Sequence, residues 1–150
     1  MTAVLREFER SFDALGRMFE FTAAFGTDAD GAPIAPEVRQ IVDLALEELF
    51  TNIVKYGSGH APVLVRVQPV PGGLEVTVDD PDADEFDPTR SPDADTSLPL
   101  EEREPGGLGL HLIRRMLDSI EYQYVAQRRL SRVRFRKTAR LPEGGLDARA

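Results

Sequence analysis

Apolar residues near the amino terminus recur at the three- and four-residue steps that mark one face of a helix. The positions are Val4, Phe8, Phe12, Leu15, Phe19 and Thr22. They predict a first helix that starts at about Ala3 and ends at Gly26, where the loop-forming sequence TDADGAP begins. This pattern leaves no room for a strand ahead of the helix.

A second apolar stripe predicts a longer helix with clear signals at both ends. Pro36 suits the first helical turn, and Gly57 follows Tyr56 as a stop signal. The stripe between them consists of Val38, Ile41, Val42, Ala45, Leu49 and Ile53. It predicts a helix over 36–56 that buries one face.

The remaining regular pattern predicts two hairpins and a third helix. The β-branched runs 63–67 and 74–78 predict the first hairpin, and QPVPGG between them predicts a connection longer than two residues. Gly106 and Gly107 open the third helix, and 122–125 and 132–137 form the closing strands. The apolar side predicted for that helix comprises Leu108, Leu112, Ile113, Met116, Leu117 and Ile120. Because hairpins separate strands from helices, the order predicts an α+β fold, a two-layer sandwich.

Composition narrows the function classes. The 150 residues suit one domain, and the absence of cysteine excludes disulfides and cysteine-based zinc or redox chemistry. No apolar run is long enough for a membrane span or a secretory signal, so we expect a soluble, cytoplasmic protein with no membrane partner. We expect the domain to cover 1–140 and a flexible tail to cover 141–150.

The net charge of −8 is concentrated in one segment, 79–106, which carries eleven acidic residues and two arginines. A chain with this balance is not expected to bind nucleic acid. The prolines and carboxylates of 79–106 cannot bury enough apolar surface to order the segment independently, so we expect an acidic lid or functional loop there.

Three groups of residues could carry chemistry. Glu48 and Asn52 lie four positions apart and so share one face of the second helix. An amide oxygen suits Mg²⁺, and a nearby carboxylate suits a general base. The second group is Gly107 and Gly109, which lie at the start of the predicted third helix. Glycine there lets a phosphate come close to backbone N–H groups that have no partner within the helix.

The third group is Asp79 and Asp80, at the end of the second hairpin strand. A carboxylate there can accept a hydrogen bond from an exocyclic amine such as that of adenine. Taken singly, each of the three patterns is more often structural: a solvated helix face, a hinge or a turn. Their order along the chain makes them informative together.

In this order the three groups resemble the ATP-binding domain shared by histidine kinases, Hsp90-type ATPases, gyrase-type ATPases and MutL. The sequence is most similar to the anti-sigma-factor serine kinases of bacterial partner-switching systems. Residues 46–57, LEELFTNIVKYG, resemble that family's N-box, and 78–80 with 86–88 resemble its first glycine box. Residues 98–118 resemble its lid and second glycine box. The resemblance covers about 36–138.

The resemblance implies a mixed, mostly antiparallel sheet covered on one face by three helices, with ATP between the helices and the lid. It implies that Glu48 is the general base, that Asn52 binds Mg²⁺, and that Asp79 or Asp80 holds adenine. The residues implied to contact the nucleotide are Asn52, Asp79, Asp80, Gly107, Leu108 and Gly109.

The implied function is an ATP-dependent protein-serine kinase and anti-sigma regulator. Its implied partners are a small antagonist protein, which it phosphorylates on serine, and a sigma factor, which it sequesters. The alternative is a regulator that keeps the fold and binds partners, but has lost nucleotide binding and catalysis.

Two features depart from the family. The glycine that normally follows the aspartate of the first glycine box is absent, because Asp80 precedes the sequence PDADE. This favours the nucleotide-free alternative. The edge strand that usually precedes the first helix is also missing from the pattern, so an uncovered sheet edge would favour a homodimer.

The alternating residues Arg132, Arg134 and Arg136 predict the solvent face of a half-covered sheet, with a surface for an anionic partner as the alternative. His60 and His111 are not expected to bind a metal, because no neighbouring residues complete a site.

Overall fold

The computed structural model describes residues 2–90 and 107–139. The elements are β1 (Val4–Phe8), α1 (Ala14–Ala23), α2 (Pro36–Tyr56), β2 (Val63–Val70), β3 (Gly73–Asp80), α3 (Gly107–Met116), β4 (Ser119–Val125) and β5 (Leu130–Thr138). A 3₁₀ turn over Ala126–Arg128 joins the last two strands. The five strands form one open sheet in the order β1-β2-β3-β5-β4. The predicted α+β class is confirmed, and every pairing among the described strands is antiparallel.

The three helices cover one face of the sheet, and α2 lies at the centre of that layer. It contacts α1 and α3 on either side and packs against β3 and β5 below. Its predicted bounds, 36–56, are confirmed. The stripe is buried at Val38, Val42, Ala45, Leu49 and Ile53, while Ile41 packs at its edge. Burial of this stripe fixes the rotation of α2 and therefore the direction of its polar side chains.

The opposite face of the sheet carries charged side chains. On β5, Val133 and Phe135 are buried under the helices, whereas Arg134 and Arg136 are exposed. This alternation confirms the predicted solvent face of a half-covered sheet. Arg136 pairs with Glu75 across the sheet at 3.0 Å. The anionic-partner alternative stays a prediction.

The first hairpin is tighter than predicted. The strands extend to Val70 and resume at Gly73, so the connection is the two residues Pro71 and Gly72, and the expected longer loop is wrong. Gly72 has a φ of +84°, a backbone conformation that glycine adopts without steric cost. Asp28 supports the turn by accepting the Gly72 N–H at 3.1 Å.

The amino-terminal prediction is wrong: Val4–Phe8 is the edge strand β1, and the first helix starts only at Ala14. The spacing of Val4 and Phe8 does not distinguish a helix from a strand. Residues four positions apart lie on the same face of either element. β2 offers the segment a full ladder of hydrogen-bonding partners, from Val4 opposite Val67 to Phe8 opposite Val63. The expected missing edge strand is therefore present, so the argument from it to a homodimer fails, and dimerisation stays a prediction.

The predicted apolar side of α3 is confirmed in part: Ile113 and Leu117 belong to it and are buried, whereas Leu110 is buried without having been predicted. Leu112 and Met116 also belong to the predicted side, but they are 50% and 43% exposed. The buried and the exposed residues both follow three- or four-residue steps, so the sequence pattern alone does not choose between them. Gly109 determines which side of α3 faces inward, because it lies against Glu48 on α2. Ile113 and Leu117 follow it at steps of four residues and therefore lie on the same side of the helix.

Other parts of the domain prediction reach beyond the described residues. The tail 141–150 and the lid portion 91–106 lie outside them. None of the described helices is long and apolar enough to cross a membrane. Within 2–90 and 107–139, no group of three metal-ligating side chains comes together.

Gly73→Ala should destabilise the fold. A Cβ at this position would lie 2.8 Å from the Cα of Thr138 and 2.9 Å from the carbonyl carbon of Lys137, so β3 and β5 would have to separate. We expect a loss of about 2 kcal/mol in the free energy of unfolding, measured by urea denaturation. Gly16→Ala is the matched control, because its Cβ meets no described atom within 4 Å and alanine is favoured in a helix by about 1 kcal/mol. Equal losses in both variants would contradict this account.

Candidate functional site

Asn52 is the buried polar residue on the inner face of α2, with only 5% of its surface exposed. A buried amide requires hydrogen-bond partners. Its Nδ2 donates to the carbonyl oxygen of Pro88 at 3.0 Å, which ties the segment after β3 to the helix. This contact orients the amide, and the amide oxygen is the atom that would bind a magnesium ion.

Glu48 lies one turn earlier on α2 and is half-buried. Its carboxylate packs directly against Gly109, where an added Cβ would come within 2.5 Å of the carboxyl carbon. Burial raises the pKa of Glu48, the neighbouring Glu47 raises it further, and Lys55 opposes both. The sequence-predicted base and the glycine turn therefore meet at one point.

The glycine turn begins α3, which starts at Gly107 as predicted. The first N–H groups of a helix have no intrahelical acceptor, so they point away from the helix and favour anions. Gly107 and Leu108 supply such groups, and Gly109 allows the close approach to Glu48. Gly106 lies outside the described residues.

Asp79 and Asp80 lie on opposite faces of the sheet, because successive residues of a strand alternate. Asp79 faces the side away from the helices and forms a two-point ion pair with Arg132, at 2.8 and 2.9 Å. Asp80 faces the helix layer and is 1% exposed. Its Oδ2 is buried without a hydrogen-bond partner among the described residues. Of the two sequence candidates, Asp80 is therefore the one that faces the helix layer and has an unused acceptor atom.

The end of α2 closes over Asp80. The N–H of Gly57 donates to the carbonyl oxygen of Ile53 at 2.9 Å. A Cβ on Gly57 would lie 2.7 Å from this carbonyl oxygen and 3.4 Å from Asp80 Oδ2. A larger residue would therefore be forced against both groups. Helix termination and the Asp80 environment depend on the same glycine.

Arg10 is the residue that sequence analysis missed. It lies between β1 and α1, and its guanidinium forms an ion pair with Asp80 Oδ1. Burial lowers the pKa of Arg10. Sequence gives no local signal for this contact, since 70 positions separate the partners. The indirect signal is Asp80 itself, because a buried carboxylate requires a cation or several donors.

The segment 81–90 is anchored at several points despite its acidic composition. Ala83 is buried and its carbonyl accepts a hydrogen bond from Tyr124 at 2.8 Å, while Arg114 of α3 donates to Thr89 at 2.9 and 2.7 Å. The rings of Tyr56 and Phe86 lie 6.3 Å apart. Together with the Asn52 contact, these interactions hold 81–90 between α2, α3 and β4.

Asp82 occupies the region where the family would place a glycine, and its φ of +54° is in the left-handed region that glycine favours. Aspartate tolerates this conformation better than most residues. Arg129 binds Asp82 and Asp84 at 2.9 Å each, which stabilises the turn. The chain thus forms the turn after Asp80 without glycine.

Comparison with known protein families gives a match over most of the chain. A family model described as the histidine kinase-like ATPase domain matches residues 9–137. The match includes every candidate site residue and also Arg10. No curated protein gives a significant match.

Glu48→Gln should stabilise the fold in a pH-dependent way. Because burial raises the pKa of Glu48, the folded chain holds this proton more tightly than the unfolded chain, whose glutamate pKa is about 4.3. The stability that Glu48 contributes to the wild type is fully present below the unfolded-state pKa. It is lost as the pH rises through the raised pKa of the folded state. The variant should exceed the wild type in free energy of unfolding at pH 7, and the gap should close near pH 4.

Urea denaturation at a series of pH values measures this gap, with the exposed α1 residue substitution Glu20→Gln as control. A gap between Glu48→Gln and the wild type that stays constant across pH would contradict the burial argument.

Gly109→Ala should weaken the contact between α2 and α3, because its Cβ would collide with the Glu48 carboxylate. The obstructing atoms belong to one flexible side chain, and alanine is favoured over glycine in a helix by about 1 kcal/mol, so we expect a net change of at most about 1 kcal/mol in the free energy of unfolding. In a Glu48→Ala background the obstruction is gone, so the same substitution should stabilise the fold, and the difference between the two backgrounds measures the coupling. If Gly109→Ala changed the free energy of unfolding equally in the two backgrounds, the Glu48 side chain would not be the group that its Cβ meets.

Proposed function

Since the chain belongs to the histidine kinase-like ATPase domain family, we propose that it binds ATP with Mg²⁺ and transfers phosphate to a serine of a small partner protein. The observation that carries this proposal is the contact between Glu48 and Gly109, which brings a carboxylate of α2 to the start of α3. A general base and a phosphate-binding helix end must be neighbours for phosphoryl transfer.

Each residue has a role in this proposal. Asn52 would hold Mg²⁺ through its amide oxygen, and the first N–H groups of α3 would bind phosphate. Bound Mg²⁺ would neutralise charge that develops on the transferred phosphate. Glu48 would accept the proton of the serine hydroxyl, a task for which a pKa raised by burial is suited. Asp80 Oδ2, which is buried and without a partner among the described residues, would accept the adenine amine.

The proposed partners are a small antagonist protein as substrate and a sigma factor as the sequestered protein, in the cytoplasm of a bacterium. These partners rest on the resemblance of 46–57 and 98–118 to the anti-sigma-factor serine kinases. Serine phosphorylation would then switch which partner the domain holds.

The second candidate function is a nucleotide-free regulator with the same fold. One specific observation favours it: Asp80 is 1% exposed and its carboxylate is paired with Arg10, so a base cannot reach it in this conformation. The two candidates differ in whether nucleotide binds at all, and a direct binding measurement separates them.

Titration calorimetry of ATP with Mg²⁺ should show saturable binding to the wild type and none to Asn52→Ala, because the variant lacks the metal-binding amide. Glu48→Gln should keep binding but lose phosphate transfer to a candidate antagonist protein by about a hundredfold or more. Gln40→Ala is the matched control, since it removes an exposed amide from the same helix. No heat with any variant at millimolar ATP would exclude the kinase and leave the nucleotide-free regulator.

A further inference from the structure

Arg10 reaches into the protein from the turn between β1 and α1. Its Nε donates to the carbonyl oxygen of Ala61 at 2.8 Å, and its Nη2 donates to Asp80 Oδ1. The side chain is 12% exposed. The guanidinium therefore links the amino-terminal turn to the loop after α2 and to the end of β3.

The space around the guanidinium is fitted to it. A Cβ on Gly59 would lie 3.0 Å from Arg10 Cζ and 3.1 Å from the Cβ of Ala83. Gly59 therefore lies directly against the guanidinium, and Ala83 lies beside Gly59. Both residues lie in the loops that border Asp80, so Arg10 fills the space next to that carboxylate.

The pair is incompletely satisfied. Arg10 Nη1 and Asp80 Oδ2 are both buried, and neither has a hydrogen-bond partner among the described residues. Burial also lowers the pKa of Arg10, which means that the charged form is held at a cost. A buried ion pair with an unused donor and an unused acceptor is weaker than a fully bonded one. It can therefore be exchanged for a better-satisfied partner.

We propose that Arg10 is an internal competitor of the nucleotide base: bound at Asp80 Oδ1, its guanidinium blocks the approach of the base's exocyclic amine to the same carboxylate, and the base enters only when Arg10 leaves. This inference rests on the proposed ATP binding and adds its regulation. A guanidinium and an aminopurine both present planar N–H donors, which is why one carboxylate can accept from either.

The proposal couples ATP binding to the turn between β1 and α1. If ATP displaces Arg10, the turn loses its two anchors, at Ala61 and Asp80. By linkage, anything that releases Arg10 strengthens ATP binding by the same factor. The turn residues 9–11 should therefore exchange their amide hydrogens faster when ATP is bound.

The test compares the binding of Mg–ATP and of Mg–tripolyphosphate by titration calorimetry in the wild type and in Arg10→Ala. The dissociation constant of ATP should be at least about tenfold lower for the variant than for the wild type. This factor corresponds to the one buried charged hydrogen bond between Arg10 and Asp80 that the base no longer has to break. Tripolyphosphate has no base, so its affinity should stay equal or fall with the lost positive charge. Arg17→Ala is the matched control, because it removes an exposed arginine paired with Glu9.

Arg10→Met guards against loss of folding, since it keeps the apolar stem while removing the guanidinium. A wild type that binds ATP as tightly as, or more tightly than, the two Arg10 variants would overturn the competitor role while leaving the proposed function intact. Absence of ATP binding in every variant would overturn both. In the wild type, unchanged hydrogen exchange at 9–11 on saturation with ATP would also overturn the coupling.

Discussion

The packing of α2 between α1 and α3, on top of β3 and β5, determines which side chains can form the site. Its apolar stripe faces the sheet, and this rotation carries Asn52 into the interior, where its amide must find a partner and does so at Pro88. The same rotation leaves Glu48 at the border with α3. Because Glu48 and Asn52 share one face of α2, a rotation of the helix would move both side chains away from the site together.

Glycines decide how closely the polar groups approach one another. Gly109 allows α3 to touch Glu48, Gly57 allows α2 to end over Asp80, and Gly59 leaves room for the guanidinium of Arg10. At Gly57 and Gly59 the requirement is the lack of a side chain, since neither position has a positive φ. The contacts of Gly57 and Gly59 concentrate charged groups at the ends of α2 and β3, where Asp80 is 1% exposed. Their electrostatic interactions are correspondingly stronger than at the surface.

Sequence reasoning succeeded where a signal lay within the element itself. The bounds of α2 followed from Pro36 and Gly57, and the alternation of β5 followed from its arginines. It failed where the deciding contact is distant in sequence. Residues 4–8 became a strand because β2 supplies hydrogen-bonding partners about 60 positions away, and α3 turned its Leu110 side inward because Gly109 meets Glu48. Such contacts leave no periodic pattern.

The same distinction applies to the site. Glu48, Asn52 and the glycine turn could be found from order and spacing, but the choice between Asp79 and Asp80 required the strand direction. Arg10 could not be found from its own surroundings, because nothing near it in sequence indicates a buried partner. Asp79 lies on the face of the sheet away from the helices, where both its oxygens accept hydrogen bonds from Arg132, and its predicted contact with the nucleotide stays a prediction.

The missing glycine after Asp80 carries less weight than the sequence indicated. Asp82 adopts the left-handed conformation, which aspartate tolerates better than most residues, and it also pairs with Arg129, so the turn forms with other residues. What separates a kinase from a nucleotide-free regulator is then the state of Asp80. The phosphates and Mg²⁺ would bind at α2 and α3, away from Asp80, and their binding energy is available to displace Arg10 from the carboxylate. In the proposed exchange, the incomplete hydrogen bonding of that pair lowers the energy required to separate it.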